Sequence, residues 1–174
     1  MSDIEETAEE RKLYERISDR ILSSSHLQAL RGRLTGEKKL AVLVDGPNFL
    51  RKTKDKQIKL EDIDDNIQDF GKATIKKVIL NEFASQKLIQ AITNSGYEPI
   101  VSTHDTHITL VIEAMNLIQK EKHIDMVVIA SRHARVNPIL IKLKEKGIET
   151  AVVGFEPGFS VALKKSADYT ILIE

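Results

Sequence analysis

Three short polar clusters hold the residue types that could do chemistry. They are Asp45-Gly46-Pro47-Asn48, the stretch from Ser102 to His107 with His104 and Asp105 inside it, and Ser131-Arg132-His133-Ala134-Arg135. Asp45 and Asp105 together could hold Mg²⁺ or Mn²⁺, hard ions that take carboxylate oxygens and keep several waters. Such an ion would polarise a phosphodiester and lower the pKa of an attacking water. A carboxylate joined by imidazoles from His104, His107 and His133 would instead suit Zn²⁺ or another transition metal. His107 or His133 could also work as a general base, because neutral imidazole is effective near pH 7. Arg51, Lys52, Lys54, Arg132 and Arg135 could form a local positive rim for a nucleic-acid backbone. Each set has a plainer alternative. Asp45 and Asn48 are residue types that cap helices by accepting from free N–H groups. Histidines in loops are commonly hydrogen-bonded to neighbours, and a run of lysines is commonly a solvated face.

The elements between these clusters decide whether they can meet. Leu40-Ala41-Val42-Leu43-Val44 is a continuous apolar run ended by an acid and a Gly-Pro turn, the pattern of a strand buried on both faces. Further strands are expected at 74–80, 97–101, 124–130, 149–153 and 169–173. Helices are expected at 60–70, 85–95, 106–121, 136–146 and 159–166, several closed by Gly71, Gly96 or Gly147. In the 106–121 helix, Ile108, Val111, Ile112, Met115 and Ile118 are expected to face inward. Strands alternating with helical segments predict βαβ units, an α/β fold with a parallel sheet covered on both faces. Right-handed crossovers would place every strand's carboxyl end on one edge, so the three polar clusters should converge there.

Ahead of this region, residues 3 to about 24 read as one helix with Leu13, Tyr14, Ile17, Ile21 and Leu22 on one stripe, and Leu27, Leu30 and Leu34 suggest a second piece. The expected division is an N-terminal helical extension over 1–36 and an α/β domain over 37–174. The stripe should pack on the domain, or else pair with a copy of itself or hold a protein partner.

Composition narrows the classes. The 174 residues suffice for a domain with a substantial core, and 26 Lys plus Arg balance 26 Asp plus Glu, so any attraction to nucleic acid must come from local patches. There is no cysteine, which excludes disulfides and thiolate metal sites and suits an intracellular protein. No apolar run approaches the roughly 18 residues of a membrane span, and the start is acidic instead of signal-like; a cytoplasmic protein is expected. No G-x-G-x-x-G follows a strand, and no P-loop, G-x-S-x-G elbow or nucleophilic cysteine is present. The loop from Gly154 to Ser160 opens a helix that Ser160 could cap; its N–H groups could hold a phosphate, though Glu156 opposes an anion there.

Val42-Leu43-Val44-Asp45-Gly46-Pro47-Asn48 resembles the first-strand motif of NYN domains, the LabA-type branch of the PIN-like nuclease superfamily. The resemblance runs over roughly 38–174. It includes Asp105-Thr106-His107-Ile108-Thr109-Leu110, Val127-Val128-Ile129-Ala130-Ser131, Ala151-Val152-Val153-Gly154-Phe155, and the tail with Ser160-Val161-Ala162-Leu163 and Ser166-Ala167-Asp168. It implies a three-layer PIN-like or Rossmann-like parallel sheet whose acidic carboxyl edge binds divalent metal and cuts RNA, with Asp45 as the first metal acid and Asn48 its companion amide. Two departures stand out. His107 occupies a position usually held by Asp, with Asp105 a stand-in two residues earlier. The fourth-strand pattern S-G-D-G-D-F is replaced by Ser131-Arg132-His133-Ala134-Arg135-Val136. An arginine there repels a cation and favours a phosphate. The resemblance thus implies either a metal-dependent ribonuclease with Asp45, Asn48, Asp105, His107 and His133 in the catalytic site, or a domain that binds RNA without cutting it through Arg51, Lys52, Arg132 and Arg135. A protein-interaction module is the third reading.

Overall fold

In a computed structural model, residues 36–50, 52, 57–121 and 123–174 are described. The helical readings of residues 3–24 and 27–34, and the side chains of Arg51 and Lys54, lie outside them. The segment Lys38–Glu174 clusters as one compact unit.

Its centre is a six-stranded sheet in the order β3-β2-β1-β4-β5-β6, with every neighbouring pair parallel. The strands are β1 (Lys39–Asp45), β2 (Lys72–Asn81), β3 (Glu98–Ser102), β4 (Met126–Ala130), β5 (Glu149–Gly154) and β6 (Tyr169–Leu172). The helices are α1 (Gly46–Phe49), α2 (Leu60–Ile67), α3 (Gln86–Asn94), α4 (Thr106–Lys120), α5 (Asn137–Glu145) and α6 (Val161–Ser166), with short 3₁₀ turns at Gln68–Phe70 and Ala134–Val136. This is the parallel α/β fold expected from the sequence.

The apolar run of β1 is buried on both faces because each face has its own helical layer. Leu40, Val42 and Val44 join Phe49, Leu60, Ile63, Ile67 and Ile92 in one core; Ala41 and Leu43 join Leu110, Ala114, Ile139, Leu140 and Leu163 in the other. Strand alternation then fixes where the chemistry points. Asp45 continues the parity of Ala41 and Leu43, so it faces the α4 layer. Ser131, just past β4, continues the parity of Val127 and Ile129 and faces the same way. The strand order reverses between β1 and β4, the topological switch point at which open α/β sheets leave a crevice beyond the strand ends.

Two local features bring the switch point together. Gly46 lets α1 lie against β2: a Cβ there would stand 2.6 Å from the carbonyl oxygen of Ile79 and 2.8 Å from Leu80. Thr106 opens α4, with Asp105 as its N-cap.

The face of α4 differs from expectation. Thr106, Leu110, Ala114 and Leu117 are buried, while Ile108 and Ile112 are 59% and 52% exposed and Val111, Met115 and Ile118 are only partly covered. The stripe is therefore rotated from the one that counting large apolar residues picks out. A small alanine and a threonine hydrogen-bonded to the site take inward positions that bulk alone assigns to isoleucines.

Candidate functional site

Asp45 is completely buried at the end of β1. It is the residue before α1, yet its side chain makes no capping hydrogen bond. It faces four partners instead. Oδ2 accepts from Asn48 Nδ2 at 2.8 Å and Ser131 Oγ at 3.2 Å, and lies 3.1 Å from His107 Nε2; Oδ1 accepts from Thr106 Oγ1 at 3.3 Å. Burial of a carboxylate is costly unless donors surround it, and these supply that surround.

His107 is the hinge of the arrangement. Its Nε2 lies against Asp45 and is also 3.2 Å from Asn48 Nδ2, so it can donate to the carboxylate or accept from the amide. Its Nδ1 is 3.0 Å from Asp105 Oδ1, which also accepts the His107 backbone N–H at 2.8 Å. A ring protonated on both nitrogens would donate to Asp45 and Asp105 together. Asp45 thus caps no helix, whereas Asp105 caps α4 through the His107 N–H. Arg135 completes the line by donating from Nη1 to Asp105 Oδ2 at 3.0 Å. The His107 backbone N–H above all, then its ring and Arg135, hold the Asp105 carboxyl below its ordinary pKa. His133 is exposed, and its ring meets that of His107 edge to face with centroids 5.0 Å apart.

The structure thus brings Asp45, Asn48, Asp105, His107, His133 and Arg135 to one place. His104 stays apart on its loop, where its Nδ1 is 3.0 Å from Thr103 Oγ1. Lys52 is exposed after α1. Arg132, expected to face a phosphate, turns away: Nη1 donates to the Pro157 carbonyl at 2.8 Å and the guanidinium lies 4.1 Å from the centroid of the Phe155 ring. It straps the end of β4 to the 154–160 loop. Two N–H groups of that loop are also committed within the protein, Phe159 N to Glu156 and Ser160 N to the Arg132 carbonyl, and Ser160 caps α6 through Leu163 N. Sequence reasoning missed Thr106 as a partner of Asp45; its position directly after an N-cap Asp and a strand end was the available signal.

The donor set can be tested against a divalent metal shared by Asp45 and Asp105. A whole imidazole stands between these carboxylates, its Nε2 3.1 Å from Asp45 and its Nδ1 3.0 Å from Asp105. Ligands of one Mg²⁺ must each lie about 2.0–2.1 Å from it. Both Asp45 oxygens are already engaged by protein donors. Among the described residues no group of three or more Asp, Glu or His side chains is arranged so that it could hold one ion. The residues in this arrangement do not fit a shared ion.

The NYN domain family profile matches residues 39–174. The chain is 41% identical over 138 residues to an uncharacterized protein of Methanocaldococcus jannaschii, a match covering 79% of this chain and 56% of the relative, so the chain spans little more than half of that relative's length. The crystal structure of a protein of unknown function from Vibrio parahaemolyticus superposes with a TM-score of 0.68 at 15% identity, covering 79% of this chain and 94% of that one. At that identity the likeness concerns the fold alone. Among the described residues, no helix is long and apolar enough to cross a membrane.

Proposed function

The chain belongs to the NYN domain family, and from that premise we propose that it binds RNA at the carboxyl edge of its sheet without requiring a metal ion. The observation that carries this reading is the His107 ring lodged between Asp45 and Asp105, where the family resemblance implies carboxylates gathered around a divalent ion. Arg135 offsets Asp105, and Asp45 is buried behind its protein donors, so a phosphate can approach an edge that a cluster of bare carboxylates would repel. Arg135, with its side chain 71% exposed, has N–H groups to offer a phosphate beyond the one given to Asp105. His133 and Lys52 stand exposed as further donors.

The test is fluorescence anisotropy with labelled single-stranded RNA, in EDTA and in Mg²⁺. The affinity should be the same in both, and Arg135→Ala should lower it several-fold. An absence of binding in both solutions would sink the proposal.

A second reading, metal-dependent cleavage, draws support from the buried Asp45 and its Asn48 partner at the switch point, which keep the family's first-strand arrangement. Incubating the same RNA with Mg²⁺ or Mn²⁺ separates the two. Cutting that needs the ion and disappears in Asp45→Asn would favour the nuclease and count against the metal-free reading.

A further inference from the structure

The connection from β2 to α3 places an aromatic ring in solvent beside this site. Phe83 is 84% exposed, whereas Phe49, Phe155 and Phe159 are buried and Phe70 is half-buried. Its turn is fixed: Asn81 Oδ1 accepts the Phe83 N–H at 3.2 Å, the Asn81 carbonyl accepts from Ala84 N, and Ser85 caps α3 through Leu88 N. The ring is held out by structured backbone and is not carried on a loose loop. It lines a cleft of about 560 Å³ that also includes Pro47, Asn48, Asn81 and Leu88. That volume lies within the roughly 300–1,000 Å³ usual for small-molecule pockets. Asn48 belongs to both places, since its amide also donates to Asp45. The cleft therefore adjoins the carboxyl-edge site through Asn48.

We infer that this cleft is a nucleobase subsite, in which an unpaired base of single-stranded RNA stacks on Phe83 while its backbone lies along the His107–Arg135 edge. This rests on the RNA-binding reading and names the form of RNA that the site takes. Several features favour a base over a peptide side chain. A single exposed ring beside phosphate-binding groups is the arrangement used for single strands, where stacking accepts any base and cationic groups track the backbone. The cleft combines apolar surface from Phe83, Pro47 and Leu88 with the amides of Asn48 and Asn81, which can meet a base's hydrogen-bonding edge. Bases within a duplex are already stacked and cannot enter, so the subsite selects unpaired RNA.

The test compares the wild-type chain, Phe83→Ala and Phe83→Trp by anisotropy against labelled oligouridine and an abasic oligomer with the same backbone. Phe83→Ala should weaken oligouridine binding by between about five- and a hundredfold, the range expected for loss of one base–aromatic stack. Binding of the abasic oligomer should not change. Phe83→Trp should restore affinity and, because the chain has no other tryptophan, report stacking as quenching of a single indole. Phe83 is exposed, so circular dichroism and thermal unfolding should be unaltered in both variants. If wild-type and Phe83→Ala proteins bind oligouridine equally, the subsite is overturned while RNA binding stands. If the wild-type protein binds neither oligomer, the underlying reading fails as well.

Discussion

Asp45 and His107 set the chemistry at the residue scale. In a site built for a divalent ion, the second carboxylate would point at the same centre as Asp45. Here an imidazole takes that place, with Nε2 3.1 Å from Asp45 and Nδ1 hydrogen-bonded to Asp105. Substituting His107→Asp should therefore restore the missing half of such a centre. The variant should unfold at a lower temperature than the wild-type protein in EDTA, because two carboxylates would face each other in a buried site. Millimolar Mn²⁺ should then raise its melting temperature, since an ion that binds only the folded state stabilises it by mass action. The wild-type temperature should be unmoved. A wild-type protein that gains as much from Mn²⁺ as the variant would show that His107 does not displace an ion. The polar clusters themselves were legible in the sequence, because acids, amides and imidazoles at strand ends stand out against apolar runs. The partnerships were not. Whether His107 would reach Asp45, or Arg132 would turn toward Phe155, depends on helix rotation and on a loop packed from another part of the chain.

At the scale of elements, the closing segment shows how one carboxylate joins strands that are far apart in sequence. Asp168 sits just before β6. Its Oδ2 accepts both the N–H and the hydroxyl of Thr150 on β5, each at 2.8 Å, and Lys144 of α5 lies 3.2 Å from Oδ1. Burial alone would push its carboxyl up, but the Thr150 donors and Lys144 together outweigh it and hold the pKa below the ordinary value. A depressed folded-state pKa means that the contribution is complete above the unfolded value and is lost as pH falls through the folded one. Asp168→Ala should cost about 1–3 kcal/mol at pH 7, because it strands the Thr150 N–H at the sheet. The gap from the wild-type protein in urea midpoint should narrow as pH drops below about 4. A gap that is constant across that range would mean that the carboxylate charge is not what holds the β5–β6 junction. Element boundaries came close to the sequence reading wherever a cap or a glycine marked them, as with Ser85 before α3 and Gly147, at φ +74°, after α5. The face of α4 was misread, since Ala114 and Thr106 carry no hydrophobic signal comparable to that of Ile108 and Ile112.

At the scale of the whole molecule, the alternation of strands and helices gave the parallel sheet, but nothing in it ordered the strands. That order places β1 beside β4 and creates the crevice at which Asp45 and Ser131 meet. With 26 basic and 26 acidic residues, the chain has no general attraction for polyanions, so the proposed RNA binding draws on the cations around this crevice. Arg135 is there, Lys52 is exposed after α1, and Arg51 and Lys54 follow β1 in the sequence. Arg132 contributes little, because its guanidinium is committed to Pro157 and Phe155. Two to four phosphate contacts on a single strand release few counterions. The logarithm of the binding constant should then fall against the logarithm of salt concentration with a slope between about −1.4 and −2.8. Anisotropy titrations of oligouridine across a potassium chloride series measure this directly. A flat line would remove the phosphates from the interface and leave stacking on Phe83 as the main contact. A slope far steeper than −3 would require more cations than the crevice offers and would move the RNA to another surface. Within the expected range, Arg135→Ala should reduce the magnitude of the slope by about 0.7, the share of one phosphate contact on a single strand. Phe83→Ala should lower the affinity and leave the slope unchanged, because stacking on an uncharged ring releases no counterions.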